Sequence, residues 1–95
     1  MPRQTDQISP SEGLITRALV AEQINARLAG TLDDVALAAW AFDRFYGEEL
    51  GTVTFEVGAE HVVGDVLDAL MFGDDPSFRL DEEELRELIA QLGTL

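Results

Sequence analysis

Apolar side chains recur at helical spacing in four separate stretches of this chain, and the pattern breaks to period two only once. That alternation of signals leaves few architectures open. In the first stretch Val20, Ala21, Ile24 and Leu28 share a face. Thr16 fits an N-cap and Gly30 a C′ stop, so the spacing predicts a helix over Thr16 to Ala29. The second stretch starts almost at once. Thr31 and Asp34 form an approximate capping box, with Asp in place of the usual Glu or Gln. Leu32, Val35, Ala36, Ala39, Phe42 and Tyr46 line one side, and Leu37, Trp40, Ala41 and Phe45 make much of the rest apolar. A helix apolar around most of its girth tends to be central, so this one, ending near Gly47, is the expected core element. The short connection at Gly30 predicts a helical hairpin or a sharp corner.

The break comes at EELGTVTFEVG, where Val53, Phe55 and Val57 alternate with Thr52, Thr54 and Glu56. This predicts one short extended segment, and no second strand is evident to pair with it. A lone strand cannot satisfy its backbone within the chain. The segment is therefore expected to pack on the helices as an extended loop. The alternative is edge pairing with a second copy or with a partner's sheet, through Val53, Phe55 and Val57. A third helix is expected from about Ala59 to Phe72, with Val62, Val63, Val66, Leu67, Leu70 and Met71 on its apolar stripe. Gly73 and Pro76 stop it.

The stretch FGDDPSFRLDEEELREL has nine charged residues in seventeen, seven of them acidic. Its second half specifies a helix start. Asp81 fits the N-cap and Glu84 completes a capping box, while Leu80 and Leu85 match a hydrophobic staple. Glu82, Glu83 and Glu84 occupy the first turn, where the helix dipole favours negative charge. Leu85, Leu88, Ile89 and Leu92 form the buried stripe, closed by Gly93. The expected fold is mainly α: a compact four-helix domain over residues 14–95, with a short extended segment between helices 2 and 3 and a flexible N-terminal arm over residues 1–13.

Charge is the next constraint. Nineteen acids oppose six bases, all arginine. Up to Tyr46 the chain carries net −2, and from Gly47 onward net −11, together the −13 of the whole. Such a field repels nucleic-acid phosphates and anionic membranes and attracts basic proteins. Direct nucleic-acid binding is not expected, nor is a membrane span. The chain has no cysteine, which excludes disulfides, thiolate zinc sites and cysteine nucleophiles. A small domain without disulfide staples, and without a signal-like apolar core in MPRQTDQISPSEG, is expected in the cytoplasm.

No catalytic signature emerges, so no enzymatic activity and no cofactor are expected. A calcium loop counted from Asp74 fails, because Pro76, Phe78 and Arg79 stand where two ligands and a glycine are needed, and Leu85 stands at the twelfth position. His61 is the lone histidine and reads as a surface or capping residue. No glycine-rich phosphate loop is present. Size and acidity are similar to those of an acyl carrier protein. That family carries its prosthetic arm on serine in an Asp-Ser-Leu motif, a context that Ser9, Ser11 and Ser77 all lack. For the aromatic cluster of Trp40, Phe42, Phe45 and Tyr46, core packing is expected, with an exposed docking edge as the alternative.

The stretch LITRALVAEQINARLAGTLDDVALAAWAFDRF, with its VAE-containing helix followed by the Trp40-Ala41 pair, resembles small acidic helical bacterial proteins of antitoxin or immunity type. The likeness extends through LDEEELRELIAQLG and covers about Leu14 to Gly93. Its motifs are structural, and it carries over no catalytic residue. It implies an inhibitory module that binds a basic protein. Asp74, Asp75, Glu82, Glu83 and Glu87 are the candidate acidic surface for that partner. Two other roles stay open: a homodimerising structural or regulatory subunit, and a carboxylate-dependent metal-binding protein or small enzyme.

Overall fold

The computed structural model describes residues 13–93. Within them lie a two-residue strand β1 (Leu14–Ile15), helix α1 (Arg17–Leu28), helix α2 (Asp34–Leu50), a second two-residue strand β2 (Thr54–Phe55), helix α3 (Glu60–Leu70), a short 3-10 turn (Pro76–Phe78) and helix α4 (Glu82–Leu92). The fold is mainly α, with four helices among the described residues and an extended segment between α2 and α3, as the apolar spacing predicts. Most of the expected N-terminal arm lies outside the described residues; Gly13 is half-buried beside Thr52.

Local chemistry accounts for where each helix begins. Thr16 accepts the Leu19 N–H at 3.0 Å and caps α1. Asp81 and Glu84 form the reciprocal capping box of α4, with the Asp81 carboxylate on the Glu84 N–H at 2.8 Å and the Glu84 carboxylate on the Asp81 N–H at 3.0 Å. The cap of α2 differs from the expectation. Asp33, not Thr31, stands at the N-cap and accepts the Ala36 N–H at 2.8 Å. The Thr31 hydroxyl instead donates to the Ala26 carbonyl, because the turn closing α1 already occupies Thr31.

The end of α2 also differs. The helix runs through Gly47 and stops at Gly51, whose φ of 83° is left-handed. Thr52 N–H bonds Gly47 O at 2.8 Å and Gly51 N–H bonds Glu48 O at 3.2 Å, the paired bonds of a Schellman turn. Gly47 has a different task. A Cβ there would stand 3.0 Å from the Thr52 hydroxyl and 3.2 Å from a Val53 methyl, so glycine lets the chain fold back onto the helix.

The period-two segment finds a partner inside the chain. β2 pairs in parallel with β1, Leu14 opposite Thr54 and Ile15 opposite Phe55, and Glu56 N–H bonds Ile15 O at 3.0 Å. The expectation of an unpaired segment is thus corrected. The second strand is only two residues long, too short to show any periodicity. Phe55 is buried at 7 % exposure, Val53 is half-buried and Val57 is 86 % exposed, because the chain turns away at Gly58 before the alternation can continue.

The core gathers Ile15, the Val20 and Ile24 face of α1, Leu37 and Ala41 of α2, Phe55, and the stripes of α3 and α4. Its centre is α3 rather than α2. Val63, Val66 and Leu67 are fully buried, and α3 packs on the other three helices and on β2. The widely apolar girth of α2 therefore has a cause other than centrality. Replacing Asp81 with Ala removes one half of the α4 capping box and is expected to cost about 1 kcal/mol of stability. Urea denaturation with an unchanged slope checks this.

Candidate functional site: an acidic surface and an outward apolar seam

Two carboxylates are drawn out of solvent by structural partners. Glu56, just after β2, accepts the backbone N–H of Arg17 at 2.9 Å, the first residue of α1. The Arg17 side chain returns the contact, Nη2 reaching Glu56 Oε2 at 3.0 Å and Nε reaching the same oxygen at 3.2 Å. Arg17 Nη1 also reaches the Leu92 carbonyl oxygen at 3.5 Å, which links α1, β2 and the end of α4. A carboxylate at a helix start is favoured by the helix dipole as well as by the cation. The Arg17 side chain, and then its backbone N–H, hold the Glu56 carboxyl below the usual glutamate range. Asp34 is the second case. It pairs with Arg27 at 2.6 Å and with Arg79 at 3.5 Å, and so fastens the loop before α4 to the start of α2.

Every other described carboxylate is exposed. Asp74, Asp75, Glu82, Glu83 and Glu87 all lie on the surface, on the loop after α3 and on α4. Asp75 caps the 3-10 turn through the Ser77 N–H at 2.9 Å, and Glu82 faces Arg86 at 3.4 Å. Asp74, Glu83 and Glu87 have no ion-pair partner among the described residues. His61 is exposed, with Nε2 3.3 Å from Asp65. Among the described residues no three histidine or carboxylate side chains converge to hold a metal ion, and no helix is long and apolar enough to cross a membrane.

Core packing is the expectation for the aromatic cluster of α2, with an exposed edge as the alternative, and the structure divides the cluster between the two. Phe42 is 54 % exposed and Tyr46 38 %. Trp40 and Phe45 are half-buried against the core. The Phe42 and Tyr46 rings stack at a tilt 4.8 Å apart, Phe45 meets Tyr46 edge-on at 5.3 Å, and Arg44 lies 5.6 Å from the Trp40 ring centre. Val35, at 64 %, and Leu50, at 79 %, are exposed at the two ends of the same helix. The apolar pattern that made α2 look central instead serves two faces. Leu37, Ala38 and Ala41 enter the core, and Val35, Ala39, Phe42 and Tyr46 point away from it.

Phe72 and Phe78 form a second exposed aromatic pair, with ring centres 6.0 Å apart. The helical spacing of the α2 seam was visible in the sequence. Its outward direction was not, because only the packing of α3 decides which face is covered. Comparison with protein-family models, curated proteins and solved structures finds no match to this chain.

The Glu56 carboxyl predicts a pH dependence. Its acidity is greater in the folded chain than in the unfolded one, so the unfolded chain binds more protons in the acidic range and stability rises with pH there. The contribution is complete above the ordinary glutamate range and is lost as pH falls through the depressed value. Glu56→Gln is expected to lower stability at neutral pH, and its gap to the unaltered protein should close in acid. Urea denaturation across a pH series measures that gap.

Proposed function

We propose that this protein is an acidic interaction module that binds a basic protein partner, in the manner of antitoxin and immunity-type inhibitors. One observation carries the reading. All five arginines among the described residues are already paired with carboxylates of the same chain. The surplus of exposed acid therefore has no cation left within the described fold to meet it.

From Gly47 onward the net charge is −11, and the acids at Asp74, Asp75, Glu82, Glu83 and Glu87 are displayed on one continuous length of chain. A surface of this sign steers a cationic partner by long-range attraction, while affinity comes from close apolar contact. The role is inhibitory occlusion or shielding of a basic surface, with no chemical step.

The test is retention of proteins from the source organism's lysate on the tagged chain, at low and at high salt. A basic protein held in stoichiometric amount and weakened by salt is the expected result; an empty bait that remains folded contradicts it. Reversing Glu82, Glu83 and Glu87 to lysine is expected to slow association with the recovered protein by roughly tenfold or more and to flatten its salt dependence. Stopped-flow kinetics checks both.

A further inference from the structure

The outward face of α2 has a spacing of its own. Val35, Ala39, Phe42 and Tyr46 follow one another at intervals of four, three and four residues, and all are exposed. That is the interval of a helix–helix seam, in which side chains of one helix enter the gaps of a neighbour lying nearly parallel to it. No helix among the described residues covers it. Aromatic side chains are costly to leave in water, and two in contact within such a seam have the character of an interface anchor.

The end of the seam carries a second signal. Glu48 and Glu49 occupy the last turn of α2, where the helix dipole is negative and disfavours carboxylates. No basic residue stands in that turn, and neither glutamate has an ion-pair partner among the described residues. The one arginine of α2, Arg44, is engaged by Asp43 and by the face of Trp40. A cation arriving from outside would relieve both the dipole conflict and the mutual repulsion of the two acids.

We propose that the outward seam of α2 docks an amphipathic helix of a different protein. Its apolar side chains would seat against Val35, Phe42 and Tyr46, and a lysine or arginine near one end would meet Glu49, which lies three residues beyond Tyr46 on the same side of the helix. The proposal rests on the interaction reading above and locates its contact surface. Charge selects this occupant over a second copy of the chain, because two bodies of net −13 repel each other and a copy would bring another acidic helix end to the same place. Residues 1–12 are a poor occupant, since Met1 and Ile8 are their only large aliphatic side chains.

The experiment is a titration of the isotope-labelled chain, followed by its amide resonances, with two synthetic helical peptides. Both carry leucine and isoleucine at seam positions. One has lysine and arginine on its flanks and the other glutamate. The basic peptide is expected to shift resonances along residues 35–50 and to bind at least tenfold more tightly than the acidic one. The double variant Phe42→Ser, Tyr46→Ser, shown folded by its circular dichroism and melting, is expected to lose at least tenfold in affinity.

Shifts confined to residues 74–87, with full binding by the double variant, would overturn the docking face and leave the interaction reading standing. No shift with either peptide would overturn both. Equal binding of the two peptides would overturn the charge argument. A dimer in sedimentation equilibrium that the double variant dissolves would assign the seam to a second copy and overturn the proposed occupant.

Discussion

The arginines of this chain are few, and among the described residues each is committed to a carboxylate nearby: Arg17 to Glu56, Arg27 and Arg79 to Asp34, Arg44 to Asp43 and Arg86 to Glu82. Three of these contacts, centred on two carboxylates, shape the fold. The Arg17–Glu56 pair brings the start of α1 to the end of β2 and reaches the last carbonyl of α4. The Asp34 pair with Arg27 and Arg79 gathers the end of α1, the start of α2 and the approach to α4. With these arginines engaged, the fold holds the remaining described acids at the surface, and no charged side chain among the described residues is buried. That is the low-cost solution, since an unpaired carboxylate in the core would carry a large desolvation penalty.

α3 takes the central place because its stripe of Val63, Val66, Leu67 and Leu70 can be covered from every direction. α2 then needs only one of its faces for the core, and its other face is left with Phe42 and Tyr46 in solvent. In the interaction we propose, the acidic surround would oppose self-association and the exposed rings would supply the contact that charge alone cannot. The proposal thus gives steering and holding to different parts of one surface.

Much of this was legible in the sequence where the signal is local. Thr16, Gly30, Asp81 with Glu84, and Gly93 mark helix ends by chemistry that acts over three or four residues, and each acts where expected. Long-range features were not. Leu14 and Ile15 carry no strand pattern of their own and become a strand only because Thr54 and Phe55 lie beside them. Gly47 and Gly51 are indistinguishable as stop signals until the left-handed turn at Gly51 and the close approach of Val53 to Gly47 are seen. The α2 seam shows the same limit. Periodicity says that a face is apolar, and only tertiary packing says whether the chain itself covers it. The acidic surface was legible throughout, because exposed charge needs no partner to declare itself.

The most direct measurement of the central claim is site-specific photo-crosslinking in the source organism, with a photoreactive residue at position 42 and, for comparison, at position 83. The account predicts that position 42 captures a helical segment of another protein bearing lysine or arginine beside its apolar residues, identified by mass spectrometry of the joined peptides. Crosslinks from position 42 only to a second copy of this chain, or none there while position 83 reacts, would contradict it.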